Sequence, residues 1–135
     1  MKKMVLITTK NEVSVLDYPV EMPGDYMGEL RGFYKAISCD CIEIVRPRYM
    51  SSFLEKYEGL VMVVDEDGHM NRKQMNIIGS LFYGTPEHGS PIAGDILLMT
   101  EEITFDGPAL AGLGEEWAES IAKNLQELVQ KVGVG

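Results

Sequence analysis

No segment limits the choice of fold as sharply as Leu60–Asp65, which reads LVMVVD. Side chains along an extended strand point alternately to its two faces, so an unbroken apolar run needs cover on both. That places the segment inside a sheet, with helices packed on it. Asp65-Glu66-Asp67-Gly68 follows as an acidic turn, since Asp and Gly suit a tight reversal. Apolar residues Met75, Ile78 and Phe82 then fall on one helical face within Asn71–Phe82, which Tyr83-Gly84 ends. A further strand is expected over Ile92–Met99, where Gly94 marks a bulge or a close approach.

The flanking elements read less uniformly. Met4–Thr9 and Glu12–Asp17 predict a hairpin around Lys10-Asn11. Pro19 and Pro23 mark a loop, and the spacing of Tyr26, Leu30, Phe33 and Ile37 predicts a helix over Asp25–Ile37, its stripe widened by Met27 and Tyr34. Gly28 and Gly32 lie within it, each costing about 1 kcal/mol relative to alanine. Close approach of another backbone would explain them, but a shorter helix is the favoured reading. Cys41–Val45 predicts a strand that stops at Arg46-Pro47-Arg48, and Tyr49–Tyr57 a short helix ended by Gly59. Over 115–132, Trp117, Ile121, Leu125, Leu128 and Val132 form one apolar seam, with Glu115 and Glu116 at the favourable dipole end and Gly133 just past the last turn. The sum is a single α+β domain: one mixed or mainly antiparallel sheet of about five strands, with two or three helices packed on it.

A chain of 135 residues with 45% hydrophobic side chains can build such a core without disulfides or metal. The apolar runs are too short to span a bilayer, and Thr8, Thr9 and Lys10 end the first one too early for a signal peptide. A cytoplasmic location is therefore expected. The net charge of -9 is concentrated at the C-terminal side, where residues 74–135 hold two basic against nine acidic groups. Direct binding to nucleic acid or to an anionic membrane is disfavoured, because both need Lys and Arg to neutralise phosphate.

Reactive motifs are scarce. Taking Gly68 as the invariant glycine of a calcium loop would put Val63 and Gln74 at the first and last ligand positions, and neither is a carboxylate. Gly84–Ser90 has the glycines of a phosphate loop but no lysine, and it runs from helix to strand rather than the reverse. Cys39 and Cys41 would stand roughly 6.6–6.8 Å apart in an extended strand, at the limit for a disulfide. They leave open a small zinc or Cys/His enzyme using His69 or His88, although neither histidine has finger spacing. Reduced structural thiols fit better. Arg72 and Lys73, at the expected start of a helix, oppose its dipole by about 0.3–1 kcal/mol each. Neutralisation by Asp65, Glu66 and Asp67 is the simpler account; reception of an anionic ligand or partner, with Arg46 and Arg48, is the functional one.

Val63-Val64-Asp65-Glu66-Asp67-Gly68, then Asn76, then Pro91-Ile92-Ala93-Gly94-Asp95-Ile96 resembles a family known only as a domain of unknown function (three-eight-four-six), best over residues 41–99. Cys41-Ile-Glu-Ile-Val45 is similar to that family's preceding strand. The family's Gly-Leu-Pro before the asparagine is replaced here by Lys73-Gln74-Met75, and its following arginine by Ile77. The resemblance implies a small cytoplasmic accessory protein of a phage, a conjugative element or a bacterial host, with Asn76 as a binding or capping group. It implies no reaction.

These readings favour a non-enzymatic binding module for a host protein or a small anionic ligand, with Arg46, Arg48, Arg72, Lys73 and Asn76 as candidate contacts and no cofactor or metal. The alternatives are the Cys/His or zinc enzyme and an acidic DNA mimic presenting Glu101, Glu102, Asp106, Glu115, Glu116 and Glu119. The N-terminal hairpin also offers an edge through which a homodimer could pair.

Overall fold

In the computed structural model the described residues are 1–22, 24–47, 57, 59–83 and 91–131. They form an α+β fold: one six-stranded antiparallel sheet with three helices. The strands are β1 (Lys3–Ile7), β2 (Val13–Asp17), β3 (Ile42–Val45), β4 (Leu60–Asp65), β5 (Ile96–Thr104) and β6 (Gly107–Ala111). The helices are α1 (Tyr26–Ile37), α2 (Ile77–Tyr83) and α3 (Glu115–Lys131). Strand order is β2-β1-β5-β4-β3, with β6 pairing the distal half of β5.

β4 lies between β3 and β5, and all six of its residues are buried. Its alternation divides the core in two. Met62 and Val64 pack with Val5, Ile96, Leu98 and the apolar faces of α2 and α3. Val61 and Val63 pack with Leu97, Met99, Tyr18 and the α1 residues Phe33 and Ile37. Each large side chain so buried contributes about 1.5–3 kcal/mol, which is why the helices dock on both faces.

Local chemistry sets the element ends. Asp25 caps α1 by accepting the Gly28 N–H at 3.0 Å, and Ser38 leaves the helix in the left-handed region, φ 55°. In the β1–β2 hairpin the Thr8 hydroxyl accepts from the Lys10 and Glu12 N–H groups, while Asn11 takes φ 63°.

The structure corrects several boundaries. α1 is full length, so its glycines are not signs of a shorter helix. A Cβ on Gly32 would sit 2.2 Å from Pro19 Cβ, and one on Gly28 2.7 Å from Val20 Cγ1; the 19–20 segment crosses the helix where only hydrogen fits. α2 begins at Ile77 rather than Asn71, because Arg72 is left-handed at φ 57° and Met75 forms a bridge with Ala93. Arg72 and Lys73 therefore lie in the turn before α2. The strand expected over Ile92–Met99 starts at Ile96 and continues to Thr104, and Gly94, φ +96°, lies ahead of it against the Lys73 stem. On α3 the buried line is Ala118, Ile121, Ala122, Leu125 and Val129, which leaves Trp117 exposed on the helix flank beside Tyr57. The helix expected over Tyr49–Tyr57, apart from Tyr57, lies outside the described residues, as do the Gly84–Ser90 loop, Val132 and Gly133.

Candidate functional site

The polar residues singled out from sequence do not share one place. Arg46 follows β3, and its Nη2 donates to both carboxylate oxygens of Glu101, each at 2.8 Å. By strand register it stands beside Val61, four residues and about 13 Å along β4 from Asp65. Lys73 is at that other end, its ammonium 2.6 Å from Asp65 Oδ2, 3.1 Å from the Ile37 carbonyl and 2.6 Å from the Ser38 carbonyl. One lysine thus neutralises a buried carboxylate and caps the negative end of α1. Arg72 is exposed and makes no ion pair with a described residue; Arg48 lies outside the described residues.

Asn76 is fully buried. Its amide donates to the Ile7 carbonyl at 2.9 Å and the Gly94 carbonyl at 3.1 Å, and its oxygen accepts the Gly79 N–H at 2.9 Å. It caps α2 and fastens that helix to the end of β1 and to the segment before β5. Both of its N–H donors are used.

Asp65 organises the acidic turn: Oδ1 accepts the Asp67 N–H at 2.8 Å and Oδ2 faces Lys73 and Asn71. Burial pushes its pKa up, but Lys73, the Asp67 N–H and Asn71 outweigh that and hold it below the ordinary range. Cys39 is half-buried and Cys41 exposed, both as free thiols. Burial raises the Cys39 pKa, with Asp65 adding to it; desolvation and the surrounding Asp67, Glu66 and Asp40 raise that of Cys41. His69 contacts the Pro91 carbonyl through Nε2. Among the described residues no three His, Cys, Asp or Glu side chains gather as a metal site, and no helix is long and apolar enough to cross a membrane.

A concavity among the described residues lies elsewhere. Where the chain leaves β2 it runs past the start of α1, opposite the β5–β6 hairpin, and between them is an open groove of about 420 Å³. Tyr18 and Glu29 line its inner side, both more than nine-tenths buried, and the Tyr18 hydroxyl donates to Glu29 Oε2. The Tyr18 ring is held edge-on against Phe33, centroids 5.8 Å apart. Burial first, and then Glu29 and Glu102, push the Tyr18 phenol far above its usual pKa. At the mouth Met22, Tyr26 and Phe105 stand open to solvent, Phe105 fully so at the hairpin tip. A second hollow, toward the start of α3, shares Lys2, Val20 and Glu21 with the first and lies beside it; the two together are termed the trough.

Sequence reasoning missed this site. The available signal was Glu29, three residues after Tyr26 and four before Phe33, a carboxylate within the apolar stripe rather than opposite it.

The fold and groove together define an antiparallel α+β domain, helices on both faces, with a cleft at one end of its sheet. No protein-family model, curated protein or solved structure matches the chain.

Proposed function

We infer that the protein is a non-enzymatic binding module and that the trough beside α1 is its contact surface. The observation that carries this reading is the arrangement of the trough: a rigid buried Tyr18–Glu29 pair inside, and Met22, Tyr26 and Phe105 held out to solvent at its mouth. Exposed aromatic and methionine side chains around a concave surface are the usual anchors of recognition. The resemblance to the phage and conjugative-element family supports a bacterial setting and a host protein as the partner.

Other observations weigh against the competing readings. A nucleophilic cysteine needs a thiol easier to ionise than usual, and both thiols here are harder to ionise. An anion site needs convergent free cations, whereas Arg46 and Lys73 are paired at opposite ends of β4. Within the acidic set proposed for DNA mimicry, Glu101 is neutralised by Arg46.

Immobilised protein exposed to bacterial lysate tests the inference. Wild type should retain a partner that the Tyr26→Ser/Phe105→Ser variant loses, both proteins being equally folded by circular dichroism. Retention of the same partner by the variant, or recovery of none by wild type, would refute it.

A further inference from the structure

Glu29 is the one buried carboxylate whose charge the fold leaves without a cation among the described residues. Asp65, the other buried acid, has Lys73 at 2.6 Å. Among the described residues the hydrogen bond that Glu29 accepts comes from the neutral Tyr18 hydroxyl, and a carboxylate has room for about four. Burying a charge under those terms is unfavourable unless a counter-charge completes it. The trough into which Glu29 faces is also lined by Glu21, Glu102 and Asp106, with Lys2 as its only described basic side chain. Aromatic faces at the mouth attract the same kind of ligand, since a cation over the ring of Tyr or Phe is stabilised by its quadrupole.

Resting on the binding-module reading, we propose that the trough holds an extended basic peptide segment of a partner protein, one lysine or arginine side chain directed to Glu29 and Glu102 with its stem against Tyr26 and Phe105. The second hollow favours a polypeptide over a lone amine. It continues the groove past Glu21 to Glu115 at the start of α3, giving a second acidic station along a strand-like ligand. The exposed carboxylates steer such a segment inward, and the inner carboxylate together with the apolar stem contacts fixes its register.

The test is a titration of short labelled oligo-arginine and oligo-lysine peptides into the full chain, followed by fluorescence anisotropy and by amide shifts of the labelled protein. A protein of net charge -9 attracts such peptides loosely everywhere, so the comparison is between variants of equal charge. Glu29→Gln keeps an acceptor for Tyr18 and should weaken binding by about tenfold or more, as should Glu102→Gln; Glu127→Gln, on the far part of α3, should leave it within about twofold. Phe105→Ala should weaken it without changing its salt dependence. Should Glu29→Gln fail to fold, exposed Glu102 carries the same comparison. Equal losses from Glu102→Gln and Glu127→Gln would overturn the proposal, as would shifts confined to surfaces outside the trough, or binding of free butylamine as tight as that of the peptides. If acidic or neutral ligands move the trough resonances while basic peptides do not, the peptide assignment fails and the binding-module reading stands. Silence of the trough toward lysate and peptides alike ends both.

Discussion

Replacing Asn76 with alanine should cost about 3–5 kcal/mol of stability, a large share of the 5–15 kcal/mol typical of a domain. The side chain makes three buried hydrogen bonds to three separated stretches of backbone: the Ile7 carbonyl, the Gly94 carbonyl and the Gly79 N–H. Loss of the cap to Gly79 accounts for roughly 1 kcal/mol. The two carbonyls, left dry, cost about 1–2 kcal/mol each. Urea unfolding followed by the fluorescence of Trp117, the only tryptophan, reads the change as a lower midpoint at unchanged slope.

The chemistry of the substitution separates the terms. Asn76→Ser should restore roughly the capping part only, because a hydroxyl is too short to span to Ile7 and Gly94. Asn76→Asp retains the acceptor for Gly79 but aims a carboxylate at two carbonyl oxygens, so its folded pKa must lie above the unfolded value of about 3.9. The sign follows: the protonated carboxyl keeps one of the two donors, and the pH-dependent part of the penalty is absent below the unfolded pKa, grows as pH rises through the folded one, and is constant above it. At pH 7 this variant should be at least as destabilised as alanine. A loss under about 1 kcal/mol for alanine, equal losses for alanine and serine, or an aspartate variant matching wild type at pH 7 would refute the clamp.

Three further outcomes follow from the same geometry. Lys73→Met should destabilise by about 2–4 kcal/mol by stranding Asp65; because the wild-type Asp65 pKa is depressed, the stability it provides is present above its unfolded value and lost as pH falls through the folded one, and the variant should lack the part Lys73 supplies, with Asp65 titrating at higher pH by carboxyl NMR. Gly32→Ala should destabilise by about 1–3 kcal/mol in urea melts despite alanine's better helix propensity, since its methyl would meet Pro19 Cβ at 2.2 Å. Tyr18 has a raised pKa, so its contribution is intact below the ordinary phenol value near 10 and declines as pH climbs above it; Tyr18→Phe should flatten that alkaline decline while costing about 1–3 kcal/mol at neutral pH, both read from urea midpoints against pH.

The parts of the fold legible in sequence are those where one pattern had a single physical reading. LVMVVD could only be a strand covered twice, and the period of α3 could only be a docked helix. The α3 seam was read slightly off its true line because Trp117 and Leu128 outrank Ala118 and Ala122 in hydrophobicity, yet alanines permit the closest approach of a helix to a sheet. β6 escaped notice since Gly107 and Pro108 open it, and both residues are depleted in strands. The early start read for α2 ignored the bridge between Met75 and Ala93, a long-range pairing that no local propensity encodes.

The site was harder to read for a different reason: residue type says what a side chain can bind, and burial says whether it already has. Lys73 and Asn76 have the chemistry of ligand contacts, but the first holds Asp65 and the end of α1, and the second has both donors committed to carbonyls. Glu29 stands three residues from Tyr26 and four from Phe33 in a chain that shows nothing of its burial, and folding sets it against the Tyr18 hydroxyl, its donor among the described residues. Polar groups with saturated partners hold a fold together, and those buried with capacity left over favour an incoming ligand that supplies the missing charge. By that criterion the tie points of the β4–α2 end belong to stability, and the Tyr18–Glu29 trough, whose inner carboxylate has no cation among the described residues, is the place proposed for a basic ligand.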